Sequence, residues 1–147
     1  MKAVIQRVKH SSVKVNNKTV GKIGKGLNIL LGIEKEDQQE DIQKIINKII
    51  NLRIFEDEKG KMNLSIKDIK GEALVISQFT LTANIKKGRR PSFENAETPQ
   101  KAKQLYEKFV QELSRHIPVQ TGIFAEHMEV LILNDGPVTF IIDSKQL

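Results

Sequence analysis

The sequence predicts an α+β fold in which a barrel-like, mostly antiparallel β-sheet is covered by two helices. Apolar segments with strand character occur near both ends and in the middle of the chain. Two amphipathic segments with helical spacing separate these strands. No repeat, low-complexity segment or linker interrupts the 147 residues. Residues 1–147 are therefore expected to form a single domain.

The first third of the chain is typical of a β-meander. Residues 1–15 contain alternating apolar and polar side chains, and the turn-forming sequence Asn16-Asn17-Lys18 follows them. Residues 19–23 resume the strand pattern, and residues 27–33 are apolar enough for a buried strand. The pattern therefore predicts three consecutive strands before the first helix.

Both helices have recognisable start signals. We expect Asp37 to cap the first helix, with Glu40 at the third helical position of a capping box. Thr98 is the expected cap of the second helix, with Pro99 at its first position and an end near His116. The apolar stripe of the first helix consists of Ile42, Ile45, Ile46, Ile49, Ile50 and Ile54. That of the second consists of Ala102, Leu105, Phe109 and Leu113.

The remaining strands lie in the second half of the chain. The strongest signal spans residues 72–82, which we expect to form one continuous strand. Further strands are expected at 121–125 and 128–133. Residues 134–137 are typical of a turn, and residues 138–143 are expected to form the closing strand.

Composition excludes several kinds of functional site. The chain has no cysteine, which excludes disulfides, thiolate metal sites and a cysteine nucleophile. The three histidines, His10, His116 and His127, do not have the spacing of metal ligands. Neither a serine nucleophile elbow nor a phosphate-binding P-loop is present. We therefore expect neither a metal nor a cofactor.

Charge and hydropathy predict a cytoplasmic protein without a membrane partner. The formal net charge of +6 favours a polyanionic partner such as RNA, although a solvated lysine-rich surface explains it at least as well. No apolar stretch approaches the roughly 18 residues that a membrane helix needs. Residues 1–7 lack the apolar run of a signal peptide.

Two segments are unusual for their place in the fold. Residues 77–82, Ser-Gln-Phe-Thr-Leu-Thr, add polar side chains to the end of an apolar strand. They indicate either a strand that emerges into solvent or one that lines a pocket. Residues 134–139, Asn-Asp-Gly-Pro-Val-Thr, are either an ordinary turn or a turn with a cis Gly136–Pro137 bond. In the second case, two neighbouring carbonyls could together hold an ammonium group.

The two segments and the N-terminal residues 1–8, Met-Lys-Ala-Val-Ile-Gln-Arg-Val, resemble the D-aminoacyl-tRNA deacylases of the D-Tyr-tRNA deacylase type. The three motifs occur in the order of that family, and the resemblance covers essentially the whole chain. It implies a homodimer with its active site at the interface. It also implies hydrolysis of the ester between tRNA and a D-amino acid, and removal of glycine from mischarged tRNA.

The resemblance implies a role for each motif. The catalytic residues would be Ser77, Gln78, Phe79 and Thr80 of one subunit. The substrate-binding residues would be Gly136 and Pro137 of the other subunit, with Arg7 holding their turn in place, together with Leu81 and Met128. Three apolar residues are candidates for stacking on the terminal adenine, although core packing is the stronger expectation for the last of them: Phe124, Met128 and Phe140.

Two mechanisms remain open for this reaction. The backbone N–H groups of Phe79 and Thr80 could stabilise the oxyanion while the ribose 2′-OH of the tRNA assists, with Thr80 as an orienting group. Alternatively, the Thr80 hydroxyl could be a covalent nucleophile, which needs an adjacent base. A non-catalytic RNA-binding module, a general esterase and a purely structural dimer are rival functions.

A basic segment follows the expected catalytic strand. Lys86, Lys87, Arg89 and Arg90 place four cations within five residues. Lys and Arg contacts to phosphates bind nucleic acid without sequence preference, which suits an enzyme that acts on many tRNAs. The alternative is a solvated loop without a partner.

Overall fold

A long N-terminal strand organises the sheet of this protein. In the computed structural model, which describes residues 1–147, β1 (Lys2–Val15) pairs antiparallel with three strands. The first half of β1 pairs with β3 (Gly26–Gly32), and its second half pairs with β2 (Lys18–Ile23). The whole length of its other edge pairs with the last strand, β8 (Glu129–Asp143). The other strands are β4 (Phe55–Glu56), β5 (Met62–Leu64), β6 (Glu72–Ser77) and β7 (Val119–Thr121).

The sheet is mixed and nearly closes into a barrel. Strand β6 pairs parallel with β3 and with β7. Two of the five strand pairings in the main sheet are therefore parallel, and the other three are antiparallel. Gly21 of β2 leaves no room for a Cβ against the carbonyl of Thr121 in β7, which brings the two ends of the sheet together. The predicted α+β class and barrel-like sheet are confirmed, with more parallel pairing than the meander pattern indicated. The β4–β5 hairpin lies outside the main sheet.

Two helices cover one face of the sheet. These are α1 (Gln39–Asn51) and α2 (Pro99–Leu113), and their apolar stripes join the main core. The five isoleucines of α1 are all buried: Ile42, Ile45, Ile46, Ile49 and Ile50. A second, smaller core fills the opposite face and consists of Val8, Val13, Ile23, Leu74 and Ile76. Neither helix is long and apolar enough to cross a membrane.

The expected cap of α1 is wrong by one residue. The N-cap is Gln38, whose backbone N–H donates to the Asp41 carboxylate at 2.8 Å. Asp37 instead accepts the Glu34 backbone N–H at 2.7 Å and binds the N-terminal ammonium group. The second helix begins at Pro99 as predicted and ends at Leu113.

Four expected strands differ from the structure. The segment 72–82 is strand only to Ser77, and residues 79–82 form a 3-10 turn. Of the expected strand 121–125, only Thr121 belongs to β7, and Ala125 has a positive φ of 66° that a strand does not allow. Residues 129–143 form a single irregular strand, so the segment 134–137 interrupts the pairing without reversing the chain.

The N-terminal ammonium group is fully buried among acidic and polar side chains. It donates to Asp37 at 2.7 Å, to Ser144 at 3.0 Å and to Glu34 at 3.4 Å. Burial raises the pKa of Glu34, but the ammonium group, Lys2 and Lys145 outweigh that effect and hold it below its usual value. This cluster joins β1 to the loop before α1 and to the 3-10 turn at the C-terminus.

Replacing Asp37 by Asn should therefore be strongly destabilising. D37N removes the closer of the two carboxylates and leaves the buried ammonium group with Glu34 at 3.4 Å, and weakening a buried ion pair in this way costs about 3 kcal/mol of the free energy of unfolding. Denaturant unfolding of D37N measures this loss. A matched control is E40Q, because Glu40 pairs with Lys44 at an exposed site where such pairs contribute about 0.5 kcal/mol or less. Equal stability of D37N and the wild type would contradict the assigned role.

Candidate active site

The chain turns abruptly after β6, directly beyond its last hydrogen bond to β3. The Gln78 backbone N–H donates to the Leu31 carbonyl at 2.8 Å, and a 3-10 turn follows. The Leu81 N–H donates to the Gln78 carbonyl, and the Thr82 hydroxyl donates to the Phe79 carbonyl at 2.7 Å. The chain therefore does not continue as the expected strand to residue 82, in which Gln78, Thr80 and Thr82 would share one face. The Thr82 hydroxyl already donates its hydrogen bond within the turn.

The first amides of this turn have no acceptor within it. In a 3-10 turn each N–H donates to the carbonyl three residues earlier, and the first such bond here is made by Leu81. The N–H groups of Phe79 and Thr80 therefore donate no hydrogen bond within the turn. Both residues are exposed. Two adjacent free amides are the donors that an oxyanion requires.

The Gln78 and Thr80 side chains bind each other. The Gln78 amide donates to the Thr80 hydroxyl oxygen at 2.6 Å. No histidine, lysine or carboxylate forms a hydrogen bond with that hydroxyl. The pairing fixes the orientation of Thr80, but it does not supply a base.

A cavity of about 440 Å³ opens beside the turn. Ser77, Gln78 and Phe79 form one side, and Met128 lies among the residues opposite. Glu97 also lines the cavity; the backbone N–H of Thr98, and then Lys101, hold the pKa of this carboxyl below its usual value. Glu97 is therefore a carboxylate at neutral pH. The remaining lining residues include Ile76, Pro99, Ala102, Phe124, Glu126, His127 and Val130.

Helix α2 anchors the strand that carries the turn. The buried Tyr106 hydroxyl donates to the Val75 carbonyl at 2.8 Å, two residues before Ser77. Burial raises the pKa of Tyr106 to about 12, so the phenol remains a neutral donor. Gly32, at the end of β3, lies directly under the turn. A Cβ there would lie 3.0 Å from Leu81 Cβ and 3.1 Å from the Gln78 carbonyl oxygen.

The segment 135–138 is a bulge of β8 that faces one residue of β1. Gln6 pairs with Thr139 and Val8 pairs with Asn134, so these four residues lie opposite Arg7 alone. The Gly136–Pro137 peptide bond is cis, and both residues are exposed.

Two side chains hold this bulge. The Arg7 Nε donates to the Asp135 carbonyl at 2.9 Å, and its Nη1 donates to the Ile54 carbonyl at 2.9 Å. Asn134 accepts the Val138 N–H and donates to the Thr139 hydroxyl, each at 2.8 Å. The family resemblance implied that Arg7 holds this turn in place, whereas no sequence signal pointed to the role of Asn134.

The turn after β6 and the bulge of β8 do not meet within one chain. Arg7 pairs with Leu27, which pairs with Ala73, whereas Ser77 pairs with Leu31. Across the sheet, the bulge on β8 is three strand spacings from β6, which is roughly 14 Å. Along the strands, it is displaced by four residues from Ser77, which is roughly 13 Å. The cavity beside the turn includes no residue of the bulge, and the smaller cavity at Arg7 and Asp135 includes no residue of the turn.

The other predicted residues have distinct surroundings. Lys86, Lys87, Arg89 and Arg90 lie in an exposed loop and form no ion pair. Phe124 lines the cavity and packs against Tyr106, with ring centroids 5.8 Å apart. Phe140 lies on β8, away from the cavity, and is 38 % exposed, so the expected core packing is incomplete.

A family model for D-Tyr-tRNA(Tyr) deacylase matches residues 4–143 of this chain. The chain belongs to the D-Tyr-tRNA(Tyr) deacylase family. The family and the enzyme class that the motifs predicted, an ester hydrolase of the D-aminoacyl-tRNA deacylase type, are confirmed. The match includes both unusual segments, 77–82 and 134–139, and residues 4–8 of the N-terminal motif.

Two relatives illustrate how similar other members of the deacylase family are. The D-aminoacyl-tRNA deacylase of Persephonella marina is 70% identical over 147 residues, which is 100% of both chains. That of Aquifex aeolicus is 62% identical over 148 residues, again covering 100% of both chains.

Solved structures support the same fold. A structure titled "c-Myc DNA Unwinding Element Binding Protein" is 41% identical and has a TM-score of 0.93, covering 97% of this chain and 98% of its own. A probable eukaryotic D-amino acid tRNA deacylase shares the fold, with a TM-score of 0.80 at 16% identity, covering 96% of this chain and 97% of its own.

Because Gly32 supports the turn, G32A should displace the Phe79 and Thr80 amides. We expect a loss of roughly 10- to 100-fold in kcat/KM for D-Tyr-tRNA, since small misplacements of catalytic groups have effects of that size. Deacylation kinetics of the purified variant measure it. The matched control is G24A, where the nearest atom to the new Cβ would be 3.6 Å away. Equal losses in both variants would contradict a specific role for Gly32.

Proposed function

We propose that this protein hydrolyses the ester bond of D-aminoacyl-tRNA, and of tRNA mischarged with glycine, at a site built from two copies of the chain. The observation that carries the proposal is the turn after β6. It presents two free amides beside a cavity but no nucleophile paired with a base. Such a site stabilises charge on an already reactive ester. It suits hydrolysis of aminoacyl esters better than hydrolysis of amides.

The reaction needs only water as a co-reactant. Water attacks the ester carbonyl, and the Phe79 and Thr80 N–H groups bind the resulting oxyanion. One such donor contributes about 10²–10³ to the rate. The tetrahedral intermediate then expels the ribose 3′-oxygen, which takes the proton lost by the water. The neighbouring 2′-OH of the tRNA is placed to carry that proton.

Thr80 acts as an orienting group in this mechanism. Its hydroxyl oxygen accepts a hydrogen bond from Gln78, and no basic side chain is available to remove its proton. A threonine nucleophile needs such a base. The alternative, a covalent aminoacyl-Thr80 intermediate, would be recognised by mass spectrometry of a quenched reaction.

An exposed apolar row on the sheet supports a second copy as the missing part of the site. Ile141 of β8, Val4 of β1, Leu30 of β3 and Ile76 of β6 are paired in register and share one face of the sheet. Ile76 is buried, Val4 and Leu30 are half-buried, and Ile141 is 78 % exposed. The row therefore emerges from the small core onto the surface of β8. A homodimer through this face would cover the row.

Docking through this face also accounts for the separation of the two motifs. The bulge at Gly136 and Pro137 lies on the same strand as Ile141, only a few residues away. A second copy on the apolar row would bring its own bulge toward the turn after β6 of the first. The dimer would then have two equivalent sites, each formed by the turn of one chain and the bulge of the other.

The proposed site selects its substrate by the geometry at Cα. The Gly136 and Pro137 carbonyls of the second copy hold the α-ammonium group, and the amides of the turn hold the ester carbonyl. With two substituents fixed, a D side chain points toward open space and an L side chain points toward backbone. Glycine has no side chain to exclude, so glycyl-tRNA would also be accepted. The basic loop would bind the tRNA phosphates, and a cytoplasmic location follows from that substrate.

Matched D-Tyr-tRNA and L-Tyr-tRNA, assayed at one ionic strength with and without the protein, test the activity. We expect the D ester to be lost about 100-fold faster or more, because backbone cannot move to accommodate the L side chain. Glycyl-tRNA should be hydrolysed as well. Equal loss of both tyrosyl esters would instead indicate a general esterase. Tight binding without hydrolysis would indicate an RNA-binding module.

Mixing two inactive variants tests the composite site. T80A removes an orienting group of the turn, and R7M removes the Asp135 contact while keeping apolar volume at Arg7. Each homodimer should be strongly impaired. Random exchange of subunits should restore about a quarter of the sites, because half of the dimers are mixed and each mixed dimer has one intact site. Mixtures that stay as inactive as their components would show that one chain contains the whole site.

A further inference from the structure

An exposed pair of aromatic rings adjoins the cavity. Phe79 and Phe93 lie with ring centroids 5.0 Å apart and planes inclined by 59°. Phe79 is 56 % exposed and Phe93 is 41 % exposed. Phe79 lines the cavity, whereas Phe93 lies outside it. Large apolar side chains that remain exposed together mark a binding surface more often than a packing defect.

A closed loop joins Phe93 to the four cations. Asn84 and Ser92 exchange two backbone hydrogen bonds of 2.8 and 2.9 Å, which pin the ends of the segment 85–91 together. The segment contains Lys86, Lys87, Arg89 and Arg90, all exposed and without ion pairs. Phe93 follows Ser92 directly. The same backbone pair therefore places the cations and the ring side by side.

Cations beside an exposed aromatic ring are the features that bind single-stranded nucleic acid. The cations contact the phosphates, and unpaired bases stack on the ring. We propose that Phe93 is a stacking platform for a base of the unpaired 3′ end of the tRNA, upstream of the terminal adenosine. The loop 85–91 would bind the phosphates of the same strand. This inference rests on the proposed function, because it takes the ester to lie beside Phe79.

The position of Phe93 decides which nucleotide it contacts. The reacting ester is on the last nucleotide, so that nucleotide lies at the turn after β6. Phe93 lies further from the cavity than Phe79, on the side of the basic loop. The strand leading away from the terminal adenosine therefore passes Phe93 on its way to the cations.

Three D-tyrosyl esters of increasing length test this inference. They are the ester of adenosine, that of the trinucleotide CCA and that of the full tRNA. In F93A we expect KM to rise about tenfold or more for the two longer substrates, with kcat unchanged, since one stacked base contributes about 1–3 kcal/mol. The adenosine ester should be hydrolysed with unchanged KM. F93Y should restore the wild-type values because it keeps an aromatic face.

The control is V20A, which removes another exposed apolar side chain, 38 % exposed, from β2, outside the loop 85–91 and the cavity. It should leave KM unchanged for all three substrates. A rise in KM for the adenosine ester in F93A would overturn the proposal, because it would mean that Phe93 acts only by supporting Phe79. Unchanged KM for every substrate would overturn it as well.

A binding measurement separates this inference from the proposed hydrolysis. Uncharged tRNA and tRNA lacking its last three nucleotides are titrated with the wild type and with F93A. The wild type should bind the intact tRNA about tenfold more tightly, and F93A should lose most of that difference. Absence of hydrolysis by the wild type would contradict only the proposed function. An equal preference in the wild type and F93A would contradict the stacking role of Phe93.

Discussion

The antiparallel pairing of β1 with β8 is the interaction on which the rest of the structure depends. These are the two longest strands, and their pairing brings the two ends of the chain together. The N-terminal ammonium group therefore meets Ser144, and Arg7 meets the bulge of β8. β8 has no further strand on its other edge, and several of its apolar side chains remain exposed, namely Leu131, Leu133 and Ile141. The same pairing thus stabilises one chain and leaves a surface for another.

Much of the fold could be predicted because it depends on local pattern. The isoleucine spacing of α1 and the Thr98-Pro99 start of α2 are signals within a few residues, and both helices lie where they were expected. The errors occurred where a distant partner decides the structure. Asp37 has the sequence context of a helix cap, but the ammonium group of Met1 binds its carboxylate. After the last ladder bond, from Gln78 to Leu31, the chain leaves β6 and enters a 3-10 turn, and no local signal in 72–82 marks that point.

The candidate site, too, could be predicted only in part from the sequence. Its motifs were evident in the sequence because unusual polar residues stood where apolar ones were expected. Their arrangement was not evident, since a continuous strand and a 3-10 turn place Gln78 and Thr80 differently. No sequence pattern identified Phe93 as a functional residue. Its contact with Phe79 depends on the bond pair between Asn84 and Ser92, and a phenylalanine in a polar loop has no periodicity to identify it.

The free amides of the turn after β6 have a consequence for how such a site changes over generations. A hydrogen-bond donor in the backbone is encoded by every amino acid except proline. Substitutions at Phe79 or Thr80 alter the side chain and leave the N–H groups in place. The oxyanion donors are therefore insulated from most point mutations, whereas the Thr80 hydroxyl that Gln78 orients is not. Purifying selection should then act most strongly on residues that shape the turn, such as Gly32, and on the Gln78–Thr80 pair within it.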